Sequence, residues 1–270
     1  MLQYQWTLFK TAVMFLTRIP VGKNLPYSQE LLQASARYFT WVGILVGITG
    51  GVSLYLANLV FSPALSIAVS MLSTILLTGS FHEDGLADSC DAFGGGWTKE
   101  KILTIMKDSR LGTYGVVGLV AALVIKFLLL LELFSYIPVT TIALLILCAH
   151  SFSRLMAVSI MQQLAYVQDI DASKSKPLAD RVLNTNEGLI LLKGFLIPFI
   201  FLYYCSNLSL APYSVVYLLL SLVPAMILRY FAGNYFKKWI GGYTGDCLGA
   251  TQQVCEIAFY FGSIFLWKFI

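Results

Sequence analysis

From Tyr38 to Phe81 the chain runs through 44 residues without an Asp, Glu, Lys or Arg. That run divides at Asn58 to Pro63 into two apolar stretches, and five more follow along the chain. The seven lie near 38–60, 63–81, 113–134, 138–161, 188–206, 210–231 and 247–268. Each has the length of about 20 residues that carries a helix across a bilayer. Barrel strands are much shorter and alternate apolar with polar positions, so the long continuous runs predict helices.

Composition turns this pattern into a class. The chain is 58% hydrophobic and 12% charged, with a mean hydropathy of +0.76, against about 25% charged in ordinary soluble domains. A water-soluble fold would need an implausibly large core. The expected fold is all-α: a polytopic membrane bundle of about seven spans forming one catalytic domain over residues 1–270, with no separate soluble domain.

Charge placement sets the expected orientation. With residues 1–37 inside, seven spans also put 82–112, 162–187 and 229–246 inside, and these four segments hold 14 of the 18 Lys and Arg. The opposite turns near 58–62, 135–137 and 207–209 hold none. This is the positive-inside pattern, and it predicts N-inside, C-outside. Twelve of the 14 acids share the inner face, leaving Glu132 and Glu256. A net charge of +4 suits an anionic leaflet and gives no reason to invoke nucleic acid.

The first 20 residues lack the basic start, clean apolar core and cleavage site of a signal peptide. Lys10 and Arg18 among Trp6, Phe9, Val13, Leu16 and Ile19 predict an interfacial or re-entrant helix instead. Five cysteines form no CxxC or zinc spacing and read as reduced, packed residues.

Against this apolar background, "FHEDGLADSCDAFGGG" at 81–96 puts four carboxylates into nine residues. Asp84, Asp88 and Asp91 fall at i, i+4 and i+7, one face of a helix expected to continue from the second span, with Glu83 beside them. Each like-charge i,i+4 pair costs a helix roughly 0.2–0.5 kcal/mol. An acidic, solvated helix end is the plain alternative. Oxygen ligands in this number suit Mg²⁺ or Mn²⁺, because no zinc-type cysteine spacing or second histidine accompanies them. Gly94 to Gly96 then ends the helix.

"IMKDSRLGTYG" at 105–115 adds the complementary chemistry. Lys107 and Arg110 are phosphate-type donors, Asp108 is a further acid, and Ser109, Gly112 and Thr113 offer hydroxyls and open backbone. Taken singly, Lys107 and Arg110 also read as ordinary inner-face charge. "GGYTGDCLGA" at 241–250 brings Asp246, behind Gly245, to the mouth of the last span. Acids for a metal and bases for phosphate are the components of phosphoryl transfer. No P-loop or GxGxxG is present.

These three blocks, with "FLTRIPV" at 15–21, closely resemble the signature blocks of the cobalamin synthase family, the adenosylcobinamide-GDP ribazoletransferases. The resemblance covers almost the whole chain. It implies a Mg²⁺-dependent, multi-pass enzyme of the bacterial inner membrane, with its active site facing the cytoplasm. Such an enzyme joins adenosylcobinamide-GDP to α-ribazole or its 5′-phosphate and releases GMP, beside other enzymes of cobalamin assembly. In that chemistry Glu83, Asp84, Asp88 and Asp91 are the expected metal ligands. Lys107, Ser109, Arg110, Gly112, Thr113 and Gly245 are the expected substrate contacts. Asp88 or Asp108 is the expected base, with Asp246 as a second-metal or ribose ligand and Lys107 in the catalytic set. The acidic pattern also resembles that of CDP-alcohol phosphotransferases, but Ser89 follows Ala87-Asp88 where their longer motif carries Arg.

Two other classes remain open at this level. Intramembrane prenyltransferases also hold a diphosphate through Mg²⁺ on acidic helix ends, although their second acidic cluster is reduced here to one acid. A transporter would carry charge along its path, whereas here the charge lies on one face. His150 and Arg154 share one face of the fourth span, and Arg154 is near enough to the inner end to snorkel. His82, Lys126, Glu132 and Glu256 read most simply as packing or orientation.

Overall fold

A computed structural model describes residues 2–22, 24–167, 182–206 and 214–269. Every regular element among them is a helix, and one isolated bridge joins Tyr166 to Tyr243. In hydrocarbon no water can pair with backbone N–H and C=O groups, so an apolar chain satisfies them internally as helix.

Helix α1 (Leu2–Leu16) turns Leu8, Ala12, Val13 and Leu16 inward and leaves Tyr4 and Trp6 exposed, the spacing of an amphipathic helix. The short α2 (Gln29–Ser35) leads through residues 36–38 into α3 (Phe39–Asn58). Five helical runs are long and apolar enough to cross a membrane. They are Gln29–Asn58, which ends in α3, then α7 (Thr113–Leu133), α8 (Val139–Met161), α9 (Thr185–Cys205) and α10 (Ser214–Ile240). A sixth arises if α4 (Pro63–Thr78) and α5 (Phe81–Gly95) are taken as one broken span. Between α5 and α7 lies the short α6 (Lys99–Met106). The last helix, α11 (Gly245–Phe269), has 25 residues. Gln252, Gln253 and Glu256 keep its hydropathy below that of the others. Residues 168–181, within the expected inner segment 162–187, and the expected turn at 207–209 lie outside the described residues.

The acidic helix is not the continuation of the second span that its periodicity suggests. It leaves α4 at 87°. Gly79 caps α4 at φ +66° and Ser80 follows at φ +61°, and two successive left-handed residues cannot extend a right-handed helix. Ser80 is the one non-glycine residue at positive φ among the described residues. That conformation costs on the order of 1–3 kcal/mol and is typical of functional junctions.

Small residues set the packing of α3 on α8. Gly43, Gly47 and Gly51 on α3 lie against the backbone of α8 at His150, Leu147 and Ala143, the small-xxx-small contact that lets membrane helices approach. Phe152, Phe199, Phe259 and Tyr260 fill the interior beside it. At the start of α9, Asn184 and Glu187 form a capping box, and Glu187 also pairs with the buried Arg37.

Candidate active site

Helices α5 and α11 meet where neither has a side chain. A Cβ on Gly85 would lie 3.1 Å from the backbone of Asp246 and 3.2 Å from Cα of Gly249. This contact brings the acids of α5 beside Asp246 in the first turn of α11. Asp84 is exposed, while Asp88 and Asp246 are half-buried. Ser80, Glu83, Asp84 and Asp88 line one cavity of about 260 Å³, closed on the other side by Ser109 and Leu111.

Repulsion within the cluster appears in its protonation. Burial, with Asp246, Asp84 and Asp91 as like charges, pushes Asp88 up to about 7. Burial, with Asp84 as a like charge, pushes Asp246 up to about 6. Asp88 lies beyond the 87° break after α4, and Asp246 in the first turn of α11. A cation among these carboxylates would relieve the repulsion.

The donor set consists of hard oxygens, as Mg²⁺ or Mn²⁺ requires. Among the described residues no three of His, Cys, Asp and Glu converge into a ready-made cage. Mg²⁺ does not need one, since it keeps several waters and is held through one or two carboxylates together with substrate phosphates. One or two of Asp84, Asp88 and Asp246 would suffice for such an open site. Glu83 is less free: it is 8% exposed, its Oε1 accepts from Gln253 at 3.0 Å, and its buried Oε2 has no hydrogen-bond partner.

Asp91 is already committed. Its Oδ2 accepts the N–H of Gly112 at 2.7 Å and its Oδ1 that of Gly115 at 2.8 Å. It thereby caps the first turn of α7 from across the site, and any Cβ on either glycine would collide with its carboxylate. Asp91→Ala would leave both N–H groups without this acceptor. About 1–3 kcal/mol of stability should be lost, read as a lowered unfolding temperature in detergent. An unchanged temperature would show that the loop holds itself.

The basic loop is only partly drawn in. Ser109 lines the cavity. Lys107, Arg110 and Thr113 are exposed, and Gly112 is held by Asp91. Arg110 grips Asp108 through a fork, with Nε 3.0 Å from Oδ1 and an Nη 2.5 Å from Oδ2. Those hydrogen bonds pull Asp108 down to about 2. Gly245 is exposed at the start of α11, with nothing within 4 Å of where a Cβ would lie.

A buried polar network below the cavity went unassigned in the sequence. Lys126 on α7 pairs with Glu256 on α11, and His150 Nδ1 stands 3.5 Å from the same carboxylate. Gln252 donates to Glu256 at 2.9 Å and to Ser153 at 2.9 Å, and Tyr260 donates to Glu256 at 3.4 Å. The adjacent Gln253 is the residue that donates to Glu83. Arg154 does not snorkel; it is 2% exposed. The available signal was the cost of an ionisable residue within a span, which requires a partner or a function.

The cobalamin-5-phosphate synthase family matches residues 8–264, nearly the whole chain and every segment that builds this site. The chain belongs to that family. Among curated relatives, a Leptospira interrogans protein is 40% identical over 269 residues, covering 100% of this chain and 99% of its own length. One from Vibrio cholerae serotype O1 is 40% identical over 259 residues, covering 96% and 94%. One from Shewanella sp. strain W3-18-1 is 43% identical over 253 residues, covering 94% and 92%. All three are named adenosylcobinamide-GDP ribazoletransferase. No solved structure matches the chain. Within the cobalamin-5-phosphate synthase family the prenyltransferase and transporter readings give way to a transferase of late cobalamin synthesis.

Proposed function

We propose that the chain joins adenosylcobinamide-GDP to α-ribazole or its 5′-phosphate, releasing GMP, at the cytoplasmic face of a bacterial inner membrane. The observation that carries this reading is the carboxylate face of Asp84, Asp88 and Asp246, assembled from two helices in a chain matched along its length to the family. Mg²⁺ held there would supply neutralisation of the charge that develops on the departing GMP. Asp84, Asp88 and Asp246 supply its proposed ligands, and Glu83 lines the same cavity as Asp84 and Asp88.

Of the two carboxylates weighed as base, Asp88 suits the role better. A carboxylate held at about 2, as Asp108 is by Arg110, takes a proton poorly near neutral pH, whereas Asp88 stands at about 7 before a cation enters the cluster. Asp108 serves instead to orient Arg110, and Lys107 and Arg110 at the rim would meet the incoming phosphate oxygens. Seven spans, N-inside and C-outside, with α11 as the seventh, put the Asp-rich face on the side where GTP-derived substrates reside. The two glycine contacts, α3 with α8 and α5 with α11, support one catalytic unit.

GMP release by purified protein, given both substrates with and without Mg²⁺, tests the reading. Metal-dependent GMP matched by cobalamin product is the expected result. Folded, metal-replete protein that releases none would overturn it, and pyrophosphate in place of GMP would return the prenyltransferase class.

The raised acids also set a pH dependence. A carboxyl whose pKa is raised keeps its proton up to that pH, so the ligand set is fully ionised only above about 7. Activity should fall as pH drops through about 7 and then about 6. Higher Mg²⁺ should move the fall to lower pH, because metal and proton compete for the same oxygens. A profile that Mg²⁺ does not move would separate the titration from the metal.

A further inference from the structure

One buried cation has no place in the chemistry above. Arg154 belongs to none of the ion pairs among the described residues. One Nη donates to the carbonyl of His150 at 2.9 Å, one turn back along α8, and its Nε is buried without a hydrogen-bond partner. Glu83 and Glu256 act on it as charges through space, yet neither bonds to it. A guanidinium carries five N–H donors, and leaving them unfilled in an apolar interior is costly.

The side chain borders a cavity of about 40 Å³ between α1, α3, α5, α8 and the first turn of α11. Phe15, Phe39, His82, Ala157 and Gly245 are among the residues that line it, and most of the wall is apolar. A single water needs roughly 10–15 Å³ of such space, so this cavity takes a few waters or one phosphoryl-sized group. A corrinoid or a fused aromatic base does not fit. Gly245 is exposed and opens it at the N-terminus of a 25-residue helix, where the backbone favours an anion. His82, 5% exposed, lines the same space.

We propose that this cavity binds one phosphoryl group of a substrate, with Arg154 as its charged anchor and the start of α11 as its second contact. The proposal rests on the transferase reading, whose substrates carry phosphorus in two places. One is the diphosphate of the donor; the other is the 5′-phosphate of the acceptor, where present. His82 precedes Glu83 and Asp84 on α5, so the cavity lies across that helix from the acidic face. A substrate spanning both would be fixed at two points around the reacting hydroxyl.

The test uses the full chain in detergent. Arg154→Gln removes the anchor, and Ala157→Val fills the cavity without touching the charge. Inorganic phosphate should raise the unfolding temperature of the unaltered protein; both variants should lose that rise and Arg154→Lys should keep part of it. In turnover, both variants should raise KM about ten- to hundredfold for the phosphoryl-bearing substrate, the value of a charge-assisted hydrogen bond. A rise confined to the phosphorylated acceptor, with free α-ribazole unaffected, identifies the acceptor's phosphate; a rise confined to the donor identifies the diphosphate. Absent protection of the unaltered protein by phosphate, or variants that lower kcat alone, would overturn the site. The protection measurement needs no turnover, so failure of the transferase reading would appear separately, as absent GMP.

Discussion

Asp84→Ala is expected to lower metal-dependent GMP release by on the order of 10³-fold, the several kcal/mol a metal contributes at about 1.36 kcal/mol per tenfold. Asp84 is exposed, so its loss breaks no buried contact and removes one like charge from the cluster. The variant should unfold at or slightly above the temperature of the unaltered protein. Loss of activity with retained stability would assign the effect to the site. Retained activity would move the metal onto Asp88 and Asp246 and leave Asp84 as a solvated helix residue. Asp88→Asn should be similarly inactive, with loss of the pH dependence tied to about 7.

Glu256→Gln is expected to be the most destabilising single change, by about 3–5 kcal/mol. Glu256 is 0% exposed and is the shared acceptor of Lys126, Gln252 and Tyr260, with His150 beside it. Neutralising it leaves the Lys126 ammonium, 5% exposed, without its counter-charge. Lys126→Met in the same chain should recover most of the loss, since replacing both members of a buried pair is far cheaper than removing one. Unfolding of the two single variants and the double variant in detergent measures the coupling. If Glu256→Gln alone is neutral, the pair is dispensable and the network serves only activity.

The acidic face on α5 was legible because acids spaced by four and three residues share one side of a helix and repel one another there. In so apolar a chain, a cation is the simplest thing to hold them together. Asp91 carries a further tie that the spacing does not show. Its periodicity is the same as that of Asp84 and Asp88, but the loop at Gly112 to Gly115 reaches it first. Nothing in local spacing reveals a hydrogen bond across 21 residues. Lys107 and Arg110 were paired with the acids by proximity in sequence, whereas the folded loop ties Arg110 to Asp108. Lys126, His150, Arg154 and Glu256 were visible as charges inside spans. The pairing of Lys126 and His150 with Glu256 was not, because those contacts join different helices.

Sequence by itself determined the class, the helical character and the chemistry on offer. Hydropathy over about 20 residues needs no tertiary information, and residue types dictate which ions they can hold. It also carried the family, through blocks that match along nearly the full chain. Tertiary structure alone decided the 87° break at Gly79–Ser80, the meeting of α5 and α11 at Gly85 and Gly249, and the burial of Arg154 beside its cavity. Each of these depends on backbone dihedrals or on how closely two distant helices approach. A one-dimensional pattern records the faces of helices, and these outcomes depend on which faces meet.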